Sequence, residues 1–181
     1  GIAVVTEVAR RLARGSDLDR DVYFVATTAE ELGLLGATAF AENPPIPLDR
    51  IVAAFNIDRF AIAPRRSPVA IVGRGMTALD PAIDAVASRL RRRMVTSEEA
   101  NYLLRREDGW ALLEHDVPAV MVSSAFGDLD RLDRFMDDRY HRADDEADAR
   151  LELGGAAEDV ELHVALVRHF AAIPAAEKQR N

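Results

Sequence analysis

Short apolar runs of strand length alternate with amphipathic helical patterns along most of this chain. Runs rich in β-branched and aromatic residues predict strands over residues 21–28, 51–57, 68–72 and 118–123. Apolar residues at helical spacing predict helices over residues 2–13, 33–42, 80–93, 108–115 and 156–173. This alternation is typical of an α/β fold, which we predict to be a three-layer α/β/α sandwich around a largely parallel, mixed sheet.

One stretch, residues 127–148, departs from the alternation. It is crowded with acidic and basic side chains and has no clear period, so we expect a loop or an exposed short helix there. The chain has 181 residues, of which 49% are apolar, and this suits one α/β domain better than two. Because no internal repeat or low-complexity linker interrupts it, we predict a single domain over residues 1–181.

Charge and cysteine content exclude several classes of function. The net charge of −8 argues against a broad nucleic-acid-binding face, since phosphate backbones repel an acidic surface. The absence of cysteine excludes disulfides, thiolate metal sites and cysteine nucleophiles, and it leaves His, Asp and Glu as the strong metal ligands. No uncharged run approaches the roughly 20 residues that a membrane-spanning helix needs, so we predict no membrane span.

Acidic and histidine side chains follow predicted strands or lie in the irregular stretch, where α/β sheets place ligand-binding groups. They are the Glu30-Glu31 pair, Asp58 and His141. Adjacent residues at a strand end diverge, so one carboxylate of the pair can bind a metal while the other accepts a proton from a zinc-activated water. Each position also has an ordinary structural explanation. An acidic pair suits the positive end of a helix dipole, Asp58 suits a turn or a cap, and His141 suits a surface site.

The sequence around these residues resembles the co-catalytic zinc aminopeptidases of metallopeptidase family twenty-eight. The matching segments are residues 25–36 (VATTAEELGLLG), Asn56-Ile57-Asp58, residues 108–121 (DGWALLEHDVPAVM) and Tyr140-His141. They occur in the order that the family has, and the resemblance extends from Gly1 to about Ala171. It implies a zinc-exopeptidase fold and a substrate that is a peptide with a free N-terminus.

The same resemblance implies a role for each candidate residue. Glu30 would be the general base, Glu31 a ligand of one zinc ion, Asp58 a ligand of a second, and His141 the last ligand of the first. The family also uses a histidine from a His-x-Asp motif and a bridging aspartate from an Asp-x-x-[Ser/Thr]-Gly motif. The glycine of that motif resembles Gly1, so we expect both of these ligands, and the first strands of the sheet, upstream of this chain.

Ligand counting predicts how these 181 residues behave alone. A catalytic zinc ion has about three protein ligands, so we expect the fragment to be inactive and to hold at most one weakly bound zinc ion. An unpaired strand edge also favours association between copies, although the oligomeric state is left open.

Other functions stay open at this stage. One is a non-catalytic domain that retains the fold without a working metal site. Another is a single-zinc acyltransferase similar to glutaminyl cyclases, which also use an acidic base. Aminopeptidase and carboxypeptidase activities are not distinguished. Export from the cell is favoured only because bacterial members of the family are commonly exported.

Overall fold

A small mixed sheet lies at the centre of the molecule. The computed structural model describes residues 1–15, 18–59, 61–143 and 145–172. Within them the sheet has three strands, which are β1 (Ala54–Asn56), β2 (Ala70–Val72) and β3 (Ala119–Ser123). β3 is central, pairing in parallel with β1 and antiparallel with β2. The α/β class is therefore confirmed, with one parallel and one antiparallel pair among the described strands.

Helices account for most of the remaining regular structure. The α-helices of the described residues are α1 (Ile2–Ala13), α2 (Leu35–Glu42), α3 (Asp80–Arg89), α4 (Gly109–Leu113), α5 (Leu129–Asp138) and α6 (Leu153–Ala171). Short 3-10 segments lie at Glu30–Leu32, Leu48–Arg50, Glu99–Arg106 and Ser124–Phe126. α1 has the bounds that the sequence predicts, whereas α3 ends four residues early. The last predicted residue of α6, Ile173, lies outside the described residues. No described helix is both long enough and apolar enough to cross a membrane.

Helices and 3-10 segments cover both faces of the sheet. Successive side chains of a strand point to opposite faces, so each strand contributes to the packing on both sides. On one face Ile71 and Val122 are fully buried against Ile83 of α3 and Leu162 of α6. On the other face Met121 packs with side chains of the Glu99–Arg106 segment, the Ser124–Phe126 segment and α5, namely Leu103, Phe126 and Leu132. α1 joins the first face through α6, where Val8 contacts Val160 and Val164.

The charged stretch at 127–148 contains a regular helix, α5. Asp128 caps it, since its side chain accepts a hydrogen bond from the backbone N–H of Arg131 at 3.1 Å. Leu132 is fully buried, and Leu129, Phe135 and Met136 pack beside it. These apolar positions do recur at helical spacing, but the surrounding charges obscure the pattern. The chain that follows the helix reaches the residues after β1, where the hydroxyl of Tyr140 accepts a hydrogen bond from Arg59 at 3.4 Å.

Residues 21–28, predicted as a strand, form no strand within the described part of the chain. Tyr23, Phe24 and Val25 are each about half exposed. A cavity of about 750 Å³ separates this segment from β1 and reaches Thr27, Asn56 and Asp108. A strand exists only where a neighbouring backbone supplies hydrogen bonds. The β propensity of residues 21–28 is therefore present without the partner that would convert it into a strand.

Candidate active site

A tight turn positions the Glu30-Glu31 pair. Glu30–Leu32 form one turn of 3-10 helix, and both Ala29 and Leu34 beside it have left-handed backbone angles, with φ of 56° and 58°. Gly36 closes the turn, because its N–H donates to the carbonyl of Thr28 at 3.0 Å. A Cβ at Gly36 would lie only 2.5 Å from Thr28 N and O, so glycine alone allows this approach.

Glu31 and His141 face each other across the site. His141 Nε2 lies 2.8 Å from Glu31 Oε1, and both side chains are more than half exposed. Tyr140 supports the pair from one side: its hydroxyl donates to Glu31 Oε1 at 3.3 Å, and its ring stacks on that of His141 with centroids 3.8 Å apart. His141 has a left-handed backbone, with φ of 58°, which turns it toward the glutamate.

Asp58 follows the end of β1 and has a different partner. Its Oδ2 lies 3.3 Å from Nη1 of Arg59, whose side chain is only 6% exposed. Arg59 also donates from Nη2 to the hydroxyl of Tyr140 at 3.4 Å. The Asp58 carboxylate is therefore paired with a buried guanidinium.

Glu30 interacts electrostatically with the carboxylates of Glu31 and Asp58. Partial burial raises the pKa of Glu30, and the negative charges of Glu31 and Asp58 raise it further, while Arg59 opposes them. A carboxylate with a raised pKa is a better proton acceptor, which is the property that a general base requires.

A second acidic pair, Glu107 and Asp108, lies beneath this group. Glu107 is 2% exposed, and Asn56 Nδ2 donates to its Oε2 at 3.5 Å. Burial raises the pKa of Glu107 to about 8, against the lowering effects of Asn56 and Arg59. Asp108 accepts a hydrogen bond from Thr27 Oγ1 at 2.5 Å, which ties α4 to the segment before Glu30.

The sequence patterns include Asp108 in a stretch that resembles the family but assign it no role, and they do not mark Glu107 or Arg59. One signal was available for Glu107. Two adjacent acids precede the short helix α4, as Glu30-Glu31 precede α2. For Arg59 no local pattern marks a buried cation, because burial is decided by distant elements.

The donor set fits a metal ion only in part. A carboxylate oxygen and an imidazole nitrogen are ordinary zinc ligands, and those of Glu31 and His141 converge on one place. Within the described ranges, no three His, Asp or Glu side chains come together in an arrangement that could hold a metal. Asp58 is not brought together with Glu31 and His141 in such an arrangement among the described residues, and its ion pair is with Arg59.

The comparison with known families identifies the class of protein that this fold and acidic site define. Residues 1–165 match peptidase family M28, so the chain belongs to that family. Membership makes it a hydrolase of the metal-dependent peptidase class. No curated protein and no solved structure shows significant similarity to the chain.

Proposed function

We propose that this chain carries the active site of a zinc-dependent aminopeptidase within the three-layer fold of the zinc exopeptidases. Family membership supports peptide hydrolysis. The zinc site and the general base are supported by one observation. His141 Nε2 lies 2.8 Å from Glu31 Oε1, and Glu30 directly precedes Glu31 in the chain. In this proposal Glu31 and His141 hold one zinc ion together with ligands from outside the described residues, and Glu30 is the general base.

Each group has one task in the reaction. A bound zinc ion supplies Lewis-acid chemistry, polarising the scissile carbonyl and making water more acidic. Glu30 accepts a proton from the attacking water and returns it to the leaving amine nitrogen as the C–N bond breaks. Hydrolysis consumes one water molecule and needs no other reactant. Tyr140 orients Glu31 through its hydroxyl and His141 through ring stacking.

Zinc titration of the 181-residue chain tests the metal site. We expect at most one weakly bound equivalent, which Glu31→Gln and His141→Ala each abolish, while His169→Ala, at an exposed histidine of α6, leaves it unchanged. We also expect no hydrolysis of aminoacyl anilides by these residues alone, because two ligands are fewer than a catalytic zinc ion requires. Tight binding of two equivalents would contradict this ligand count.

The glutaminyl-cyclase-like acyltransferase remains the second candidate, and one observation favours it. Asp58 pairs with Arg59, which is compatible with a site for a single metal ion. The substrates separate the two activities in any form of the protein that is active. An aminopeptidase releases the first residue of a peptide, whereas a cyclase converts an N-terminal glutaminyl peptide without cleaving it. A protein that does neither would be the non-catalytic domain.

A further inference from the structure

Arg59 is a buried cation inside the candidate active site. It follows Asp58 directly, and its backbone is left-handed, with φ of 51°, a conformation that few non-glycine residues adopt. Its side chain is only 6% exposed, although Asp58 beside it is 42% exposed. The long charged side chain of Arg59 therefore points into the protein, beside the carboxylates of the candidate active site.

The surroundings of the guanidinium are acidic or aromatic. Nη1 lies 3.3 Å from Asp58 Oδ2, and Nη2 donates to the hydroxyl of Tyr140 at 3.4 Å. The guanidinium carbon lies 5.4 Å from the centre of the Tyr140 ring, which is within the range of a cation–π interaction. Its charge also opposes the rise that burial causes in the pKa of Glu107. Arg59 is thus a counter-charge to Asp58 and Glu107.

We propose that Arg59 replaces the second metal ion of a two-metal site, neutralising Asp58 and leaving one divalent metal ion, held at Glu31 and His141. This inference rests on the metal site of the proposed function. A metal on Asp58 would bind its oxygens at about 2.0–2.2 Å. The guanidinium nitrogen is already 3.3 Å from the same carboxylate, so the two cations would repel each other strongly in this partly buried place.

A purely structural ion pair makes a different prediction. Arg74 and Asp84 form such a pair outside the site, with Arg74 8% exposed and two hydrogen bonds to Asp84 at 2.8 and 3.1 Å. Loss of either arginine should lower stability. Only loss of Arg59 should alter metal binding, so metal binding separates the two roles.

The experiment is zinc binding by calorimetry and equilibrium dialysis on the 181-residue chain and its variants. For Arg59→Met, which removes the charge and keeps much of the length, we expect zinc affinity to rise about tenfold or more, because a nearby positive charge no longer repels the metal. Arg59→Lys and Arg74→Met should bind zinc as the unmodified protein does. The gain should disappear in the double variant Asp58→Asn/Arg59→Met.

Two results would overturn the proposal. One is Arg59→Met binding zinc with unchanged affinity and stoichiometry. The other is Asp58→Asn alone lowering the zinc affinity of the unmodified protein, which would make Asp58 a ligand. This second measurement decides the matter even if Arg59→Met fails to fold, because Asp58 is partly exposed and its amide is nearly isosteric. Zinc binding that survives both Glu31→Gln and His141→Ala would instead contradict the proposed metal site.

Discussion

His141 Nε2 lies 2.8 Å from Glu31 Oε1, although the two residues are 110 positions apart in the sequence. As an ion pair this contact contributes little to stability, because both side chains are more than half exposed. Its geometry nevertheless requires a left-handed residue at His141 and a tight turn closed by Gly36. Such local constraint without a stability gain is typical of side chains placed for binding.

The first prediction concerns the catalytic base. Glu30→Gln keeps the size of the side chain and removes its ability to accept a proton. In a natural form of the protein that hydrolyses aminoacyl anilides, we expect kcat to fall by ~10²–10⁴ with zinc content unchanged. Glu42→Gln, at an exposed site on α2, serves as the matched control and should keep full activity. If Glu30→Gln loses zinc and Glu31→Gln retains it, the two roles have been assigned in reverse.

The second prediction concerns the turn that positions Glu30. Gly36→Ala would bring a Cβ within 2.5 Å of backbone atoms of Thr28, so either the turn opens or the helix shifts. We expect a loss of about 1–3 kcal/mol in the free energy of unfolding, measured with urea. Gly109→Ala is the control, since its Cβ would meet neighbours at ordinary contact distances of 3.5 and 3.6 Å. Equal stability of both variants would show that the close approach at Gly36 imposes no constraint.

The third prediction follows from the buried Glu107, whose pKa is raised from 4.5 to about 8, chiefly by burial. The folded state therefore binds a proton that the unfolded state has released, so this residue lowers stability as the pH rises from about 4.5 to about 8. Glu107→Gln removes the titration, and we expect it to become several kcal/mol more stable relative to the unmodified protein between these pH values.

Urea unfolding at several pH values measures this difference. The control is Glu114→Gln, which changes an exposed carboxylate just after α4 and should leave the pH dependence as it is. Parallel stability curves for the unmodified protein and Glu107→Gln would mean that Glu107 is ionised in the folded state, with Asn56 and Arg59 compensating its burial.

The fourth prediction concerns the attachment of α6 to the sheet. Asp159 is fully buried, pairs with Arg92 at 2.7 Å and accepts hydrogen bonds from Ser123 Oγ and from Ser124 N and Oγ. Asp159→Ala leaves the Arg92 charge without this carboxylate, and we expect a loss of ~3–5 kcal/mol in the free energy of unfolding.

Thermal and urea unfolding of Asp159→Ala test this, with Glu161→Ala as the control on the exposed side of the same helix. A loss no larger than that of the control would show that the buried pair is replaceable by packing alone. Asp159 contacts Arg92, Ser123 and Ser124, which are not among the proposed zinc ligands, so zinc binding per folded molecule should not change.

Local sequence patterns were sufficient to predict the α/β class, the bounds of α1 and the approximate positions of α2, α3, α4, α6 and the three strands. They did not define α5, and they predicted a strand over residues 21–28 that does not form. Periodicity expresses which side of an element is apolar, and this property is local. The sequence also singles out Glu30-Glu31, Asp58 and His141, because the motifs around them occur in the order that is found in the family. Their roles remain predictions.

Tertiary structure decided the properties that depend on distant neighbours. Residues 21–28 have the composition of a strand, yet strand formation requires a paired backbone, and the adjoining space is a cavity. Charged neighbours obscure the apolar pattern of α5 in the sequence, and only the structure shows that Leu132 is fully buried. No local sequence pattern predicts that Arg59 and Glu107 are buried. Burial places the charge of Arg59 beside Asp58, and it raises the pKa of Glu107. Sequence thus determined which chemical groups are available and which face of each element is apolar. Only packing determined which of those groups lose water and which charge each one meets, because desolvation and pairing are set by the whole surrounding structure.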